Sequence, residues 1–251
     1  MKKEEEKSRS NQRLGDKVPI PGSYQYDAYY KAGRIQRFWH VTRLEESKAA
    51  LAVTSGDTVL DIGCGSGLLA SFIAGNKDVK VLGIDANPSA IGFCRDTYRL
   101  PNLSFEQKTT EDIRFNENSF SRIALLEVIE HISTEQAVKL LGTIQDLLKP
   151  GGRLVISTPN KKSCWPLIEW LMDKLKLAPR MGRDQHEILY TRKKLIALAA
   201  GAGLECVSQK TLFFISPWIA FFSPRLAKLV HKMGMKLHSK PGSLLLLTFQ
   251  K

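Results

Sequence analysis

Apolar residues along this chain fall into short runs that end on glycine, asparagine or an acid, and longer stretches with helical spacing follow them. Val59-Leu60-Asp61-Ile62 is the first such run. Three glycines at alternate positions, Gly63, Gly65 and Gly67, separate it from an apolar segment that opens at Leu68. The pattern predicts a strand over about 57–62 and a helix over about 66–75. It continues with strands over about 79–84, 103–107 and 121–126, a helix from Pro88 to near Tyr98, and a helix over about 134–148. Pro88 after Asn87 suits a first helical turn. Lys149-Pro150-Gly151-Gly152 stops the later helix and launches a strand over about 153–158. Short apolar runs alternating with helices predict a parallel, doubly wound α/β sheet.

The flanks depart from this rhythm. Residues 1–22 are charged, polar or Pro/Gly-containing and are expected as a disordered tail. An aromatic-rich segment from Tyr24 to Val41 predicts one or two helices over about 26–51. After residue 160, Trp165–Met172 reads as an inserted amphipathic helix, and Thr191–Ala202 as a helix ended by Gly201 or Gly203. A strand over about 204–210 comes next, then the apolar stretch Leu212–Phe222 and a basic segment with Arg225, Lys228, His231, Lys232 and Lys236. Ser243–Phe249 is the last strand, closing the sheet as a hairpin. The expected organisation is a single domain over 23–251, with an N-terminal helical lid at 23–54 and helical insertions at 160–185 and 212–240.

Composition adds location. A length of 251 residues, 43% of them hydrophobic, suits one α/β domain with decorations. Cys64, Cys94, Cys164 and Cys206 lack metal-type spacing and read as free thiols of a reducing, cytoplasmic compartment. The polar start Met1-Lys2-Lys3-Glu4 has no apolar core of a signal peptide, and no run is long enough to span a bilayer. The net charge is +12, and residues 161–240 hold 15 Lys and Arg against 5 Asp and Glu. Such a basic third attracts nucleic acid, anionic membrane or acidic substrates.

Two motifs carry chemistry. In the first, Asp61 stands two residues before Gly63, and the glycines follow G-x-G-x-G rather than the dinucleotide spacing G-x-G-x-x-G. Val81-Leu82-Gly83-Ile84-Asp85 ends in a second acid, placed to accept hydrogen bonds from ribose hydroxyls. In the second, Glu127-Val128-Ile129-Glu130-His131 follows the fourth strand. As the start of a helical turn it would set Glu127, Glu130 and His131 at i, i+3 and i+4 on one side. Two carboxylates and an imidazole could hold a divalent cation such as Mg²⁺, with His186 as a fourth ligand. Without a metal, His131 or His186 is the candidate general base.

The pair of motifs resembles the class I S-adenosylmethionine-dependent methyltransferases. The resemblance implies a Rossmann-like, seven-stranded, mostly parallel sheet with an antiparallel last strand. It places Gly63, Cys64, Gly65 and Gly67 around the methionine part of the cofactor, Asp61 beneath the loop, and Asp85 with Ala86 at the ribose. Thr109 and Thr110 stand where related enzymes often carry an adenine-binding Asp, so backbone groups or Glu111 would serve there. Glu127 would face the transferred methyl group.

Glu-x-x-Glu-His with a distant His is similar to the ubiquinone-biosynthesis O-methyltransferases and to the small-RNA terminal ribose O-methyltransferases. In both, a metal at this motif holds or activates the acceptor hydroxyl, which implies that role for Glu127, Glu130, His131 and His186. Ser157-Thr158-Pro159-Asn160 resembles the quinone enzymes in particular.

The expected function is O-methylation of a small hydrophobic, lipid-like or aromatic hydroxyl compound. Trp165, Trp170 and Trp218, with their basic flanks, point to an anionic membrane surface as partner. The alternatives are 2′-O-methylation of RNA, N- or C-methylation of a small metabolite, and a non-catalytic cofactor-binding protein.

Overall fold

Seven segments become strands: β1 Thr58–Ile62, β2 Lys80–Asp85, β3 Leu103–Gln107, β4 Phe120–Leu126, β5 Leu148–Pro159, β6 Glu205–Leu212 and β7 Leu244–Gln250. The computed structural model describes residues 21–163, 188–213, 216–236 and 242–251. The strands form one sheet in the order β3-β2-β1-β4-β5-β7-β6. Pairing is parallel from β3 through β5, and β7 runs antiparallel to both β5 and β6. The expected seven-stranded, mostly parallel sheet with an antiparallel last strand is therefore observed.

Both faces of the sheet are covered, so its central strands are apolar at consecutive positions. Successive side chains point to opposite faces. Leu60, Ile62, Ile123, Leu125, Leu154 and Ile156 belong to one core, while Val59, Ala124 and Val155 belong to the other.

The helices are α1 Tyr24–Tyr30, α2 Arg34–Leu51, α3 Leu68–Ala74, α4 Pro88–Thr97, α5 Thr134–Leu147, α6 Arg192–Gly201, α7 Ser216–Phe222 and α8 Pro224–Lys236. Residues of α5 and α6 share the first core; residues of α2, α3, α4, α7 and α8 share the second. Local chemistry sets several starts. Asn87 caps α4 by accepting from the Ser89 amide. Ser133 and Gln136 form a reciprocal capping box on α5, and Thr191 caps α6. The glycine turn delays α3 to Leu68, because Gly67 is left-handed at φ 72°. Strand β5 starts five residues earlier than the sequence predicts, because Leu148 already pairs with Phe120 before a register shift. The inserted helix expected at Trp165–Met172, the 160–185 insertion beyond Ser163, and residues 1–20 lie outside the described residues.

The strand order reverses beside β1, whose neighbours β2 and β4 lead to opposite halves of the sheet. A crevice opens at the carboxyl ends of the strands at such a switch point. Asp61, the glycine turn, Asp85 and Glu127 all stand at that edge.

Candidate active site

The glycine turn is tied down on every side. Gly63 and Cys64 donate amides to the Ile84 carbonyl at 2.8 and 3.0 Å. Gly63, Gly65 and Gly67 have φ of 72°, 52° and 72°, where a side chain is strained. A Cβ on Gly63 would run into Val128, and one on Gly67 would lie 2.8 Å from Cys94 Sγ and 2.9 Å from the Phe105 ring. Glycine here satisfies both the backbone and the packing beneath the turn.

Asp85 organises the neighbouring strand end. Its Oδ2 accepts from the Gly65 amide and its Oδ1 from the Asn87 amide, each at 2.8 Å. A carboxylate offers about four acceptor directions, so it can hold the turn and still take two hydroxyls. Ala86, between Asp85 and Asn87, is exposed at the rim.

Asp61 is buried beneath the turn, and its Oδ2 has no hydrogen-bond partner. Burial first, and the nearby Asp85 charge second, push its pKa up to about 7; Arg43 and the Ala70 amide pull the other way. An orphaned buried carboxylate oxygen marks a place where a cationic or hydrogen-bonding ligand is favoured. A small cavity of about 30 Å³ touches it, lined by Gln25, His40, Arg43, Gly63 and Leu126 among others.

Three of these residues are absent from the sequence-based site. Gln25 on α1 accepts from the Ser66 amide at 3.2 Å, so the first helix rests on the glycine turn. Arg43 on α2 lies 4.8 Å over the Trp39 ring, which fixes its guanidinium beside the cavity. His40 is buried, and burial together with Arg43 pushes its pKa down to about 3, so it is neutral at physiological pH. The readable signal was in α2: His40, Arg43 and Ser47 recur at helical spacing, where a mere cover helix carries apolar residues.

The second motif differs from the expected helical turn. Glu127 has φ 56°, outside any helix, and a single 3₁₀ turn begins only at Ile129. Glu127 Oε1 accepts from Ser157 Oγ at 2.7 Å, whereas Glu130 Oε2 accepts from Thr158 Oγ1 at 2.9 Å. Ser157 and Thr158 are consecutive on β5 and point to opposite faces. The two carboxyls therefore do not share one side. Glu130 is fully buried, Glu127 is half-buried, and His131 is exposed at the end of the turn. Burial, then the Glu127 charge, holds the Glu130 carboxyl well above the usual range. Burial also raises Glu127, against the opposing pull of Arg43, Ser157 and His131.

Among the described residues no three His, Cys, Asp or Glu are grouped as a metal ion requires, so Glu127, Glu130 and His131 do not by themselves make a metal centre. His186 lies outside the described residues, although the Ile188 amide, two positions on, donates to the Glu130 carbonyl at 3.1 Å.

The expected adenine-side residues are also rearranged. Thr109 Oγ1 donates to Asp112 Oδ2 at 2.6 Å, and the Lys108 amide donates to the Asp85 carbonyl. An acid is therefore present beside Thr109 after all, supplied by Asp112. Glu111 is instead engaged with Gln136 on α5 at 2.7 Å. Thr110 is half-buried next to it.

A cofactor edge of this kind, on a sheet of this order, defines a class I S-adenosylmethionine-dependent methyltransferase. Residues 25–209 match the family model of the methyltransferase domain, and the chain belongs to that family. Among curated relatives, the ubiquinone biosynthesis O-methyltransferase of Cereibacter sphaeroides is 34% identical over 166 residues, covering 63% of this chain and 64% of that one. An uncharacterized methyltransferase of Synechocystis is 29% identical over 152 residues, covering 57% of this chain and 68% of its own. The match thus spans a little under two thirds of the quinone enzyme's length. The crystal structure of an S-adenosylmethionine-dependent methyltransferase from Mesorhizobium loti superposes with a TM-score of 0.62 at 16% identity, covering 82% of this chain and 96% of that one. At that identity the likeness is one of fold.

Proposed function

We propose that this enzyme transfers the methyl group of S-adenosylmethionine to the oxygen of a small, hydrophobic, lipid-like or aromatic hydroxyl compound. We further propose that it is a cytoplasmic enzyme working at a membrane surface. The family establishes the methyltransferase; the similarity to ubiquinone-biosynthesis enzymes supports the acceptor class. The observation that carries the cofactor assignment is the cradle itself. Side-chain-free Gly63 and Gly67, the two-handed Asp85 and the orphaned Asp61 oxygen meet at one strand edge.

In this reading Asp85 takes the ribose hydroxyls while keeping the Gly65 amide. Cys64, Gly65 and Ala86 supply backbone at the rim, and Thr109 and Thr110 flank the adenine with Asp112. Asp61 faces the cationic part of the methionine, and Arg43 its carboxylate. An Arg–carboxylate pair of this kind contributes about 1.5–3 kcal/mol. Arg43→Ala is therefore expected to raise the Kd for S-adenosylmethionine about 10- to 100-fold, read by calorimetry, with little change in melting temperature.

Bound S-adenosylmethionine supplies a sulfonium-activated methyl group. The acceptor oxygen would lose its proton as its bond to the methyl carbon forms and the carbon–sulfur bond breaks, with the neutral thioether S-adenosylhomocysteine leaving. His131, exposed after the carboxyl end of β4, takes the proton on an imidazole nitrogen, while Glu127, held by Ser157, steadies the imidazolium.

The test is transfer of labelled methyl into a total cell extract, partitioned between organic solvent and water, with and without EDTA. Label in the organic phase, cut about 100-fold or more by His131→Ala at unchanged cofactor affinity, is the expected result. Label in a nuclease-sensitive aqueous fraction overturns the acceptor class in favour of RNA. Loss with EDTA that Mg²⁺ restores overturns the His131 step in favour of metal assistance.

A further inference from the structure

The C-terminal part of the chain carries a surface that the methyl-transfer reading does not use. Of the twelve large apolar side chains exposed among the described residues, six lie on α7 and α8. Phe221 and Phe222, at the end of α7, are 59% and 80% exposed. Ser223 then caps α8, its Oγ accepting from the Leu226 amide, and Pro224 fills the first helical turn.

Along α8, Leu226, Leu229 and Met233 follow at i, i+3 and i+7, which places them in one row, and all three are about half exposed. Ala227 and His231, on the opposite side, are buried against the core. The helix therefore has two apolar sides: one packs against the core, and the other is about half exposed.

Charge identifies the occupant. Arg225 and Lys232, seven positions apart, stand together on one flank of the exposed row, and both are exposed. From Cys206 to Lys251 the chain holds seven Lys and Arg and not one Asp or Glu. A second copy of this chain docked about a two-fold axis would set these cations against one another. A face with apolar residues in the middle, aromatics at its end and the cations Arg225 and Lys232 along its flank matches an anionic lipid surface.

The same helices are fastened to the cofactor lid. Arg34 on α2 donates to the Phe221 carbonyl at 3.3 Å, and Lys228 on α8 pairs with Glu45 at 3.4 Å. His231 lies 3.8 Å from Glu46, which also pairs with Lys210 on β6 at 3.2 Å. One turn earlier on α2 stand His40 and Arg43, against the cavity.

We infer that α7 and α8 form a membrane-docking face for anionic phospholipid, with Phe221, Phe222, Leu226, Leu229 and Met233 entering the headgroup region and Arg225 and Lys232 contacting lipid phosphates. The inference rests on the proposed hydrophobic acceptor for its purpose, since an enzyme seated this way meets a lipid-like substrate at the phase where it dissolves. The face is an interfacial one. No helix among the described residues is long and apolar enough to cross a membrane.

The test is flotation of the full chain with phosphatidylcholine vesicles and with vesicles containing about one third phosphatidylglycerol. The full chain is expected to float with the anionic vesicles only, and less so at high salt. Phe222→Glu with Met233→Glu, and separately Arg225→Glu with Lys232→Glu, are each expected to lower partitioning by about tenfold or more. Melting temperature, calorimetric binding of S-adenosylmethionine and turnover of a detergent-dispersed acceptor should not move.

Wild-type protein that stays with the lipid-free fraction overturns the inference. So do variants that float as before, or variants that melt several degrees lower because the face is covered by the chain itself. Light scattering that shows a dimer broken by the Phe222 and Met233 changes makes it a protein interface. A short RNA retained by wild type and released only by the charge changes makes it a nucleic-acid surface. Methyl transfer to the dispersed acceptor is read apart from flotation, so failure of the docking face and failure of the acceptor assignment give different patterns.

Discussion

Asp85→Asn is expected to weaken binding of S-adenosylmethionine by about 100-fold while leaving the protein folded. The substitution is nearly isosteric but replaces one acceptor oxygen with an amide that only donates. In the native site both oxygens already receive backbone amides, from Gly65 and Asn87. Whichever way the new amide turns, it points an N–H at an N–H. The turn then loosens at the strand edge proposed to hold the cofactor. Losing one ribose hydrogen bond and the charge assistance of the other, at about 1.5 kcal/mol each, gives the stated factor. Calorimetry reads it directly, and a circular dichroism melt separates it from unfolding. A variant that binds the cofactor as tightly as wild type would remove Asp85 from the ribose.

The second large effect is a pH dependence with a definite sign. Asp61 has its folded pKa raised to about 7, against about 3.9 in an unfolded chain. Below the unfolded value the carboxyl is protonated in both states and costs nothing. As pH climbs from about 4 to about 7 the unfolded state ionises first, so stability of the cofactor-free protein falls across that window by up to about 4 kcal/mol and then levels. Glu130, also raised by burial, adds a slope of the same sign, so Asp61→Asn flattens the curve only in part. Cofactor binding runs the other way. A cation beside Asp61 favours the carboxylate, so binding releases a proton and tightens as pH rises. For a carboxyl that falls from about 7 to below 5 on binding, affinity at pH 5.5 is about 30-fold weaker than at pH 8. His40, pushed down to about 3, does not titrate in this range. Isothermal titrations in buffers of different ionisation heat detect the released proton. Asp61→Asn should abolish both the proton release and the pH dependence of cofactor affinity.

The cofactor edge was legible in the sequence because each part of it is local. A strand end, a turn that must be glycine and an acid at the next strand end are separated by fixed short distances. Gly63, Gly65, Gly67, Asp61 and Asp85 could thus be picked out from spacing, whereas the strand count and the late antiparallel partner came from the family resemblance that those motifs carry. Arg43, His40 and Gln25 were not legible in that way. They reach the turn from α1 and α2 only because those helices pack across the sheet, a tertiary contact that no short motif records. The Glu127 segment was misread for a related reason. Its spacing permits a helical turn, but Glu127 has a left-handed backbone and bonds Ser157, while Glu130 bonds Thr158, the next residue on β5. Tertiary partners overruled the local period.

The strand order also sets an order of assembly. Strands β1 to β5 are contiguous in the sheet and nearly so in sequence, so they can associate as the chain emerges. Strand β7 then has to enter between β5 and β6, pairing with residues about 90 positions earlier. Until it arrives, Leu154, Val155 and Ile156 sit on an open edge with unpaired backbone groups, the arrangement most prone to recruit strands from other chains. Heterologous expression of this protein should therefore lose material to aggregates chiefly in the interval before β7 docks, and slower growth temperatures or chaperone excess should act on yield through that one insertion step.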